Sequence, residues 1–331
     1  MTPRVVVVGA GAAGLMAALA AREAGAHVTL VEKTADGGRK ILISGGGRCN
    51  VLPAVATPER FVSEASRTLV RSLLGAWPLR AQHKYFEDTL GVPLALEAES
   101  AKYFPASNRA RDVRDALVSR AAALGVECCF GAEVTSIAPA GGGWQVALAG
   151  GTLTADRVVL ATGGLSVPAT GSSGFGFDVA RAVGHTVHPT YAALTPLTAA
   201  PHPLADLAGI SLDVAIHARS AREEAGSTGG FLVTHRGYSG PAVLDVSHVA
   251  VRSLDAGGAR ATVHVCWTAM DAAAWTAAFL EARGLAVNLV AKHVPQRLAE
   301  ALCDVAGVTR ERTCVQLRRE ERARLVAALT A

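Results

Sequence analysis

The sequence predicts an α/β fold: a parallel-sheet domain opens the chain, a β-rich, largely antiparallel region follows it, and a small helical region closes the sequence. Three observations carry this expectation. The β-branched run Val5-Val6-Val7-Val8 feeds into Gly9-Ala10-Gly11-Ala12-Ala13-Gly14, a helical pattern follows, and a second apolar run, His27 to Val31, ends in Glu32. A later apolar run, Arg157 to Leu160, ends in Ala161-Thr162-Gly163-Gly164. From Leu194 the texture changes to short alternating runs, and from about Ala269 to helical periodicity. The boundaries expected are 1–190, 191–268 and 269–331.

The first stretch orders strand, glycine turn, helix, strand and acid as a Rossmann-like dinucleotide site requires. Gly9 permits the tight turn, Gly11 lets a pyrophosphate approach the backbone, and Gly14 lets the helix pack closely on the strand. Ala13 sits in the first helical turn, whose unpaired N–H groups favour an anion. Glu32 is placed to accept ribose hydroxyls, which suits an unphosphorylated ribose (FAD or NAD), and Lys33 lies beside it. Two plainer readings compete. A secretory signal peptide would explain Arg4 before an apolar stretch, but the pattern continues unbroken through Glu32. An ordinary strand-turn-helix would gain nothing from three placed glycines, which cost backbone entropy.

Next comes Gly37-Gly38-Arg39-Lys40-Ile41-Leu42-Ile43-Ser44-Gly45-Gly46-Gly47-Arg48-Cys49-Asn50. Its five glycines read as a loop, neither stable helix nor buried strand. Such a loop wraps a polyanion with backbone N–H groups, and Arg39, Lys40 and Arg48 supply charge. A flexible linker is the alternative. Residues 59–90 read as helical with a break near Trp77-Pro78, and Lys102 to Asn108 as a turn. Ser107 or Asn108 is expected to cap a helix running to Leu124 and ended by Gly125. Strands are expected at Val126–Phe130 and Glu133–Ile137, then a hairpin across Gly141-Gly142-Gly143 into Trp144–Leu148. In parallel sheets ligands gather at the carboxyl ends of strands, so Thr162-Gly163-Gly164 should face the same crevice as the first glycine turn. A loop through Gly171-Ser172-Ser173-Gly174-Phe175-Gly176 then leads into a helix ending at Gly184-His185.

In the second region, Leu212 to His217, Phe231 to Thr234 and Ala261 to Trp267 read as antiparallel strands. Thr234-His235-Arg236-Gly237-Tyr238-Ser239-Gly240-Pro241 clusters polar side chains around two glycines and a proline. Arg310 to Arg324 mixes signs at helical spacing, the mark of a solvated face.

At 331 residues, half of them hydrophobic, the chain can build a large core. No apolar stretch is long enough for a membrane span outside the glycine-interrupted amino terminus, so none is expected. With 32 basic and 28 acidic residues the net charge is +4, too weak to point to nucleic acid. The six cysteines form no C-x-x-C and no zinc-like pairing with histidines. Buried free thiols in a reducing cytoplasm are expected, with no metal site, and Cys128 and Cys129 should point to opposite faces of a strand.

Gly9 to Gly14, the string Gly38-Arg39-Lys40-Ile41-Leu42-Ile43-Ser44-Gly45-Gly46-Gly47-Arg48-Cys49-Asn50, Leu160 to Gly164, Ala193 to Leu197 and Thr234 to Pro241 resemble, in order and spacing, the bacterial BaiN/YhiN-like flavoproteins. That family is also described as aminoacetone oxidase-like or 3-dehydro-bile-acid reductase-like. The resemblance implies an FAD-binding domain, here 1–190, carrying the β-rich and helical insertions. It also implies a cytoplasmic FAD-dependent oxidoreductase acting on a small organic substrate, with NAD(P)H or O2 as redox partner. A second G-x-G-x-x-G is absent, so NAD(P)H is expected as a transient donor, and the lone Cys49 argues against a disulfide reductase.

On this reading Gly9, Gly11, Ala13, Gly14, Glu32 and Lys33 hold the adenosine end and Val134 touches the adenine. Arg39, Lys40, Ser44, Gly45, Gly46, Gly47, Arg48, Cys49 and Asn50 approach the pyrophosphate and flavin, with Arg48 near the pyrimidine side. Thr162, Gly163 and Gly164 complete the pocket. His235, Tyr238 and Ser239 are candidates for proton transfer, the alternative being turn residues that satisfy local backbone groups. One departure matters. The family's return to the first domain, through a strand and a G-E-x-L-D-like loop, is not found before Ala331. The domain is therefore expected to be incomplete and to hold FAD weakly or not at all. Two alternatives stand beside the oxidoreductase: a flavin-dependent RNA-modifying protein, and an inactive truncated fragment.

Overall fold

The computed structural model describes residues 2–255 and 259–330. The chain divides into two compact units, Met1–His188 and Pro189–Ala331. In order, the first contains β1 (Arg4–Val8), α1 (Ala12–Glu23), β2 (His27–Glu32), α2 (Arg39–Ile43), β3 (Leu52–Pro53), α3 (Arg67–Ala76) and α4 (Leu79–Lys84). Then follow β4 (Leu94–Glu97), β5 (Lys102–Pro105), α5 (Ala110–Ala123), β6 (Glu127–Phe130), β7 (Val134–Ala140), β8 (Gly143–Leu148), β9 (Gly151–Ala155), β10 (Arg157–Leu160) and α6 (Phe175–Ala182).

A parallel sheet in the order β10-β1-β2-β6 organises this unit. Both of its faces are covered, which is why β1 is a continuous valine run with no polar alternation. Val7 and Leu30 face a core made with Leu15, Leu19, Val113 and Leu117 of α1 and α5. Val6, Val8 and Val31 face a second core made with Val134, Ile137 and Val146 of the antiparallel β7-β8-β9 sheet. Cys128 packs on the first face and Cys129 on the second, as alternation requires, and all six cysteines are free thiols.

Several local expectations are corrected. The glycine-rich loop contains a helix: Gly38 turns left-handed (φ 76°), Arg39–Ile43 forms α2, and Ser44–Gly47 continues as a 3₁₀ turn. Ile41 supplies the reason, being buried in the core beside α5. Lys102–Pro105 is a strand rather than a turn, paired with both β4 and β3. The helical stretch begins at Arg67, not near 59, breaks at Trp77-Pro78 as expected, and ends in a wide π turn over Tyr85–Thr89. Neither Ser107 nor Asn108 caps α5. Asn108 is left-handed (φ 53°), which delays the helix until after Arg109.

The second unit contains β11 (Leu197–Thr198), β12 (Ser211–Arg219), β13 (Glu224–Thr234), β14 (Gly237–Ser239), α7 (Pro241–Asp255), β15 (Thr262–Cys266), α8 (Ala272–Glu281), α9 (Ala286–Val290), α10 (Gln296–Val305) and α11 (Arg319–Thr330). Its antiparallel sheet runs β11-β14-β13-β12-β15. The expected strands are present, but β13 starts at Glu224 and crosses three glycines, and α7 is a helix the sequence reading did not anticipate. Val214, Ile216, Phe231 and Val233 from the sheet share one core with Val243, Val246 and Val249 of α7 and with Trp275, Phe279, Leu298 and Leu325 of the later helices.

Candidate functional site

The glycine turn after β1 is fixed by two close approaches. Gly9 has φ 101°, and a Cβ there would lie 2.5 Å from the Ala161 carbonyl oxygen. A Cβ on Gly14 would lie 1.7 Å from the Gly9 oxygen. These two glycines are demanded by packing. Gly11 is different: a Cβ on it meets nothing within 4 Å. It caps the amino end of α1, whose first turn carries no acid, and it borders open space. Space in front of unpaired helical N–H groups, with the helix dipole behind them, is what an anionic ligand needs.

Glu32 stands at the end of β2. Its Oε2 accepts from the Ala10 N–H (2.8 Å), and its Oε1 from the Thr34 N–H and Oγ1 (2.8 Å each). Three donors fix the carboxylate while leaving acceptor capacity for a hydroxyl.

A cleft of about 680 Å³ opens around these groups. Gly9, Gly11, Ala12 and Ala13 line it at the helix start, and Glu32 and Thr34 at the acid. Arg39, Lys40, Ser44, Cys49 and Asn50 line it from α2 and the turn beyond. Thr162, Gly163, Thr170, Gly171, Ser172 and Phe177 come from the segment after β10 and from α6. A smaller pocket of about 100 Å³ shares Gly9, Glu32, Thr162 and Gly171 with it and is lined by Val134, Lys33, Ser173 and Phe175. A space of this total size, with few polar groups converging, is typical of a cofactor site.

The cations have distinct partners. Arg39 donates from Nε to Asp36 Oδ1 (2.8 Å), and Arg114 approaches Asp36 Oδ2 at 3.3 Å. The hydrogen bond from Arg39 holds the Asp36 carboxyl below its ordinary range, helped by the charges of both arginines. Lys40 Nζ donates to the Ser166 carbonyl (2.8 Å), Ser166 Oγ (3.2 Å) and Ser172 Oγ (2.8 Å). Arg48 turns to Glu97 Oε1 (2.7 Å), with its guanidinium 4.1 Å from the centre of the Phe104 ring. Cys49 is buried with φ 65°, and burial pushes its thiol up to about 11, so it is protonated at neutral pH.

Thus Gly9, Gly11, Ala13, Glu32, Arg39, Lys40, Ser44, Cys49, Asn50, Thr162 and Gly163 meet at the cleft, with Lys33 and Val134 at the adjoining pocket. Gly14, Gly45, Gly46, Gly47, Arg48 and Gly164 are not among the lining residues. Gly14 packs beneath the turn, Gly45 against Phe104, and Gly164 against Phe177. His235, Tyr238 and Ser239 belong to the second unit. His235 is exposed in the turn between β13 and β14. Tyr238 is half-buried, its ring centre 5.0 Å from His202 and 5.4 Å from Phe231, and burial raises its phenol. Ser239 pairs with Leu232 in the sheet. Thr34, Thr170, Gly171, Ser172 and Phe177 were missed, although the Gly/Ser density of Gly171–Gly176 ahead of a helix was a signal of the same kind as the first motif.

Residues 3–308 match the model of the HI0933-like protein Rossmann domain family. The chain belongs to this family. The resemblance drawn from the glycine and Arg39-to-Asn50 motifs is borne out, as is the Rossmann-like α/β class. A ribosomal RNA dihydrouridine synthase of Escherichia coli K12 is 34% identical over 248 residues, covering 73% of this chain and 60% of the relative. A 3-dehydro-bile acid delta(4,6)-reductase of Clostridium scindens is 31% identical over 251 residues, covering 75% and 60%. A ribosomal RNA dihydrouridine synthase of Haemophilus influenzae is 32% identical over 257 residues, again covering 60% of the relative. The chain therefore spans about 60% of the length of the curated relatives it matches. Among the described residues no helix is long and apolar enough to cross a membrane, and no three His, Cys, Asp or Glu residues are grouped as metal ligands.

Proposed function

We propose that the cleft of the first unit binds FAD and that the protein is an FAD-dependent oxidoreductase acting on a small organic substrate. The observation that carries this is Gly11, a glycine with no packing duty that faces open space between a helix amino terminus and a fixed acid. The N–H groups at the start of α1 would hold the pyrophosphate and Glu32 a ribose hydroxyl. Val134 and its small pocket fit the adenine. Arg39, anchored through Nε by Asp36, would direct its remaining N–H groups to the phosphates. Ser44, Cys49, Asn50, Thr162 and Gly163 would border the flavin, Cys49 as a neutral thiol. Bound FAD supplies reversible hydride transfer, and the surrounding residues orient it and keep water away.

The names of the relatives favour one chemistry within this class. A delta(4,6)-reductase and a dihydrouridine synthase both add hydrogen across a carbon–carbon double bond. Reduction of such a bond, with NAD(P)H as transient donor, is therefore the preferred reading over O2-driven oxidation of an amine. His235, Tyr238 and Ser239 are proposed to assist the proton step. His235→Ala should lower turnover while leaving FAD bound; loss of FAD without a kinetic effect would assign His235 to structure. A second reading, an RNA substrate, is supported by the names of the Escherichia coli and Haemophilus influenzae relatives. It requires RNA binding that weakens steeply with salt.

The experiment is an absorbance spectrum of the protein titrated with FAD, followed by anaerobic titration with NADH and NADPH. A perturbed flavin spectrum that bleaches with one donor is expected. A flavin spectrum indistinguishable from free FAD at all protein concentrations would overturn the reading.

A further inference from the structure

The segment Gly163–Gly174, between β10 and α6, forms one side of the cleft, and the Lys40 side chain makes most of the polar contacts that tie it down. The Lys40 ammonium has three hydrogens. All three are used within this segment, on the Ser166 carbonyl (2.8 Å), Ser166 Oγ (3.2 Å) and Ser172 Oγ (2.8 Å). Ser172 is only 6% exposed. Its Oγ lies where a Cβ on Gly163 would come within 2.9 Å, so the bond from Lys40 also fixes the turn leaving β10. Lys33 adds a longer contact to Ser173 Oγ (3.5 Å).

Beyond these bonds the segment is held by packing alone, Gly164 against Phe177, Gly171 against Thr34 and Lys33, and Leu165 against Gly174. Leu165 and Val167 are about half exposed, and the internal bonds are those of one short turn over Pro168–Thr170. Val167 has φ 49°, a left-handed conformation unfavourable for a β-branched side chain. Strain of this kind persists only where the surroundings over-determine the backbone.

We propose that Lys40 is a positioning residue: it does not ligate the cofactor's phosphates but staples Gly163–Gly174 as the second wall of the cleft. What the wall closes on rests on the FAD reading above. Arg39 is then the cation of α2 left to address the anion, since its bond to Asp36 uses Nε alone among its donors.

The test compares Lys40→Met and Ser172→Ala with the unaltered protein by hydrogen exchange without ligand, and by FAD and ADP affinity. Exchange across 163–174 should rise at least tenfold in both variants, with α1 and β2 unchanged. FAD affinity should fall about tenfold in each, the scale of one charge-assisted bond. The double variant should bind no more weakly than Lys40→Met, because the contact removed by Ser172→Ala is one of the three that Lys40→Met already removes. Ser172→Ala changes one atom and guards against a misfolded Lys40→Met. The proposal is overturned if Ser172→Ala matches the unaltered protein while Lys40→Met loses ADP and FAD equally, which would make Lys40 a direct phosphate ligand. It is overturned as well if neither variant changes exchange. Should the unaltered protein bind no FAD, the cofactor reading fails and the exchange comparison still decides the staple.

Discussion

Gly11 and Gly14 lie three residues apart and answer different demands. Alanine at 14 would drive a methyl into the Gly9 carbonyl, whereas alanine at 11 enters open space with an ordinary backbone (φ −75°). Gly14→Ala should therefore destabilise the protein by about 1–3 kcal/mol, the cost of overpacking, read as a lowered denaturant midpoint. Gly11→Ala should leave that midpoint in place and weaken FAD at least tenfold. Equal loss of stability in both would deny Gly11 its ligand role. The thiols make a second prediction. Burial pushes Cys49 and Cys303 up to about 11 from an ordinary 9. Native protein at pH 8 should leave both unlabelled by a thiol reagent, with labelling complete after unfolding. Because their folded values are raised, the stability they contribute is present below pH 9 and is lost as pH rises through about 11. At this scale the places of Gly9, Gly11 and Glu32 at the cleft were legible, since their spacing is imposed by local geometry, whereas Gly45, Gly46, Gly47 and Gly164 do not line it. Arg48 was not: nothing local announces that Glu97 and Phe104, some fifty residues on, will claim its guanidinium.

Among the elements, α2 shows how a clasp overrides propensity. Five glycines in the stretch argue against a helix, yet buried Ile41 and the Asp36–Arg39 and Asp36–Arg114 bonds hold a five-residue one against α5. Asp36→Asn should loosen that clasp and lower the melting temperature at pH 7. The sign with pH follows from the lowered carboxyl. The contribution is full above the unfolded value of about 3.8 and vanishes as pH falls through the lower folded value, so variant and parent should converge in acid. A constant difference down to pH 2 would exclude the ionic clasp. Helix α7 escaped the sequence reading because its valines favour strands, whereas the spacing of buried Ala242, Val243, Val246 and Val249 is helical. Strand β13 escaped for the opposite reason. Its glycines weaken a strand in isolation but are covered here, Gly226 by the ring of His217 and Gly230 by Pro241. The parallel strands were read correctly because burial on both faces writes itself as uninterrupted apolar runs.

Over the whole molecule, each unit has its own hydrophobic interior. Residues 1–188 and 189–331 expressed separately should each unfold in a cooperative transition, and the first should retain the FAD-dependent spectral change. A first fragment that folds but leaves FAD unaltered would place essential cofactor contacts elsewhere in the chain. The central sheet has a further consequence, for synthesis rather than for the finished fold. Strand β1 finds β2 within about thirty residues, but its other neighbour, β10, lies about 150 residues downstream. At an elongation rate of about 5–20 residues per second, one side of the valine run stays open on the ribosome for roughly 8–30 s. During that wait it is a strongly apolar template for joining another nascent chain. Recombinant yield should therefore respond to whatever shields the newborn amino terminus, and hardly at all to changes that stabilise the completed protein.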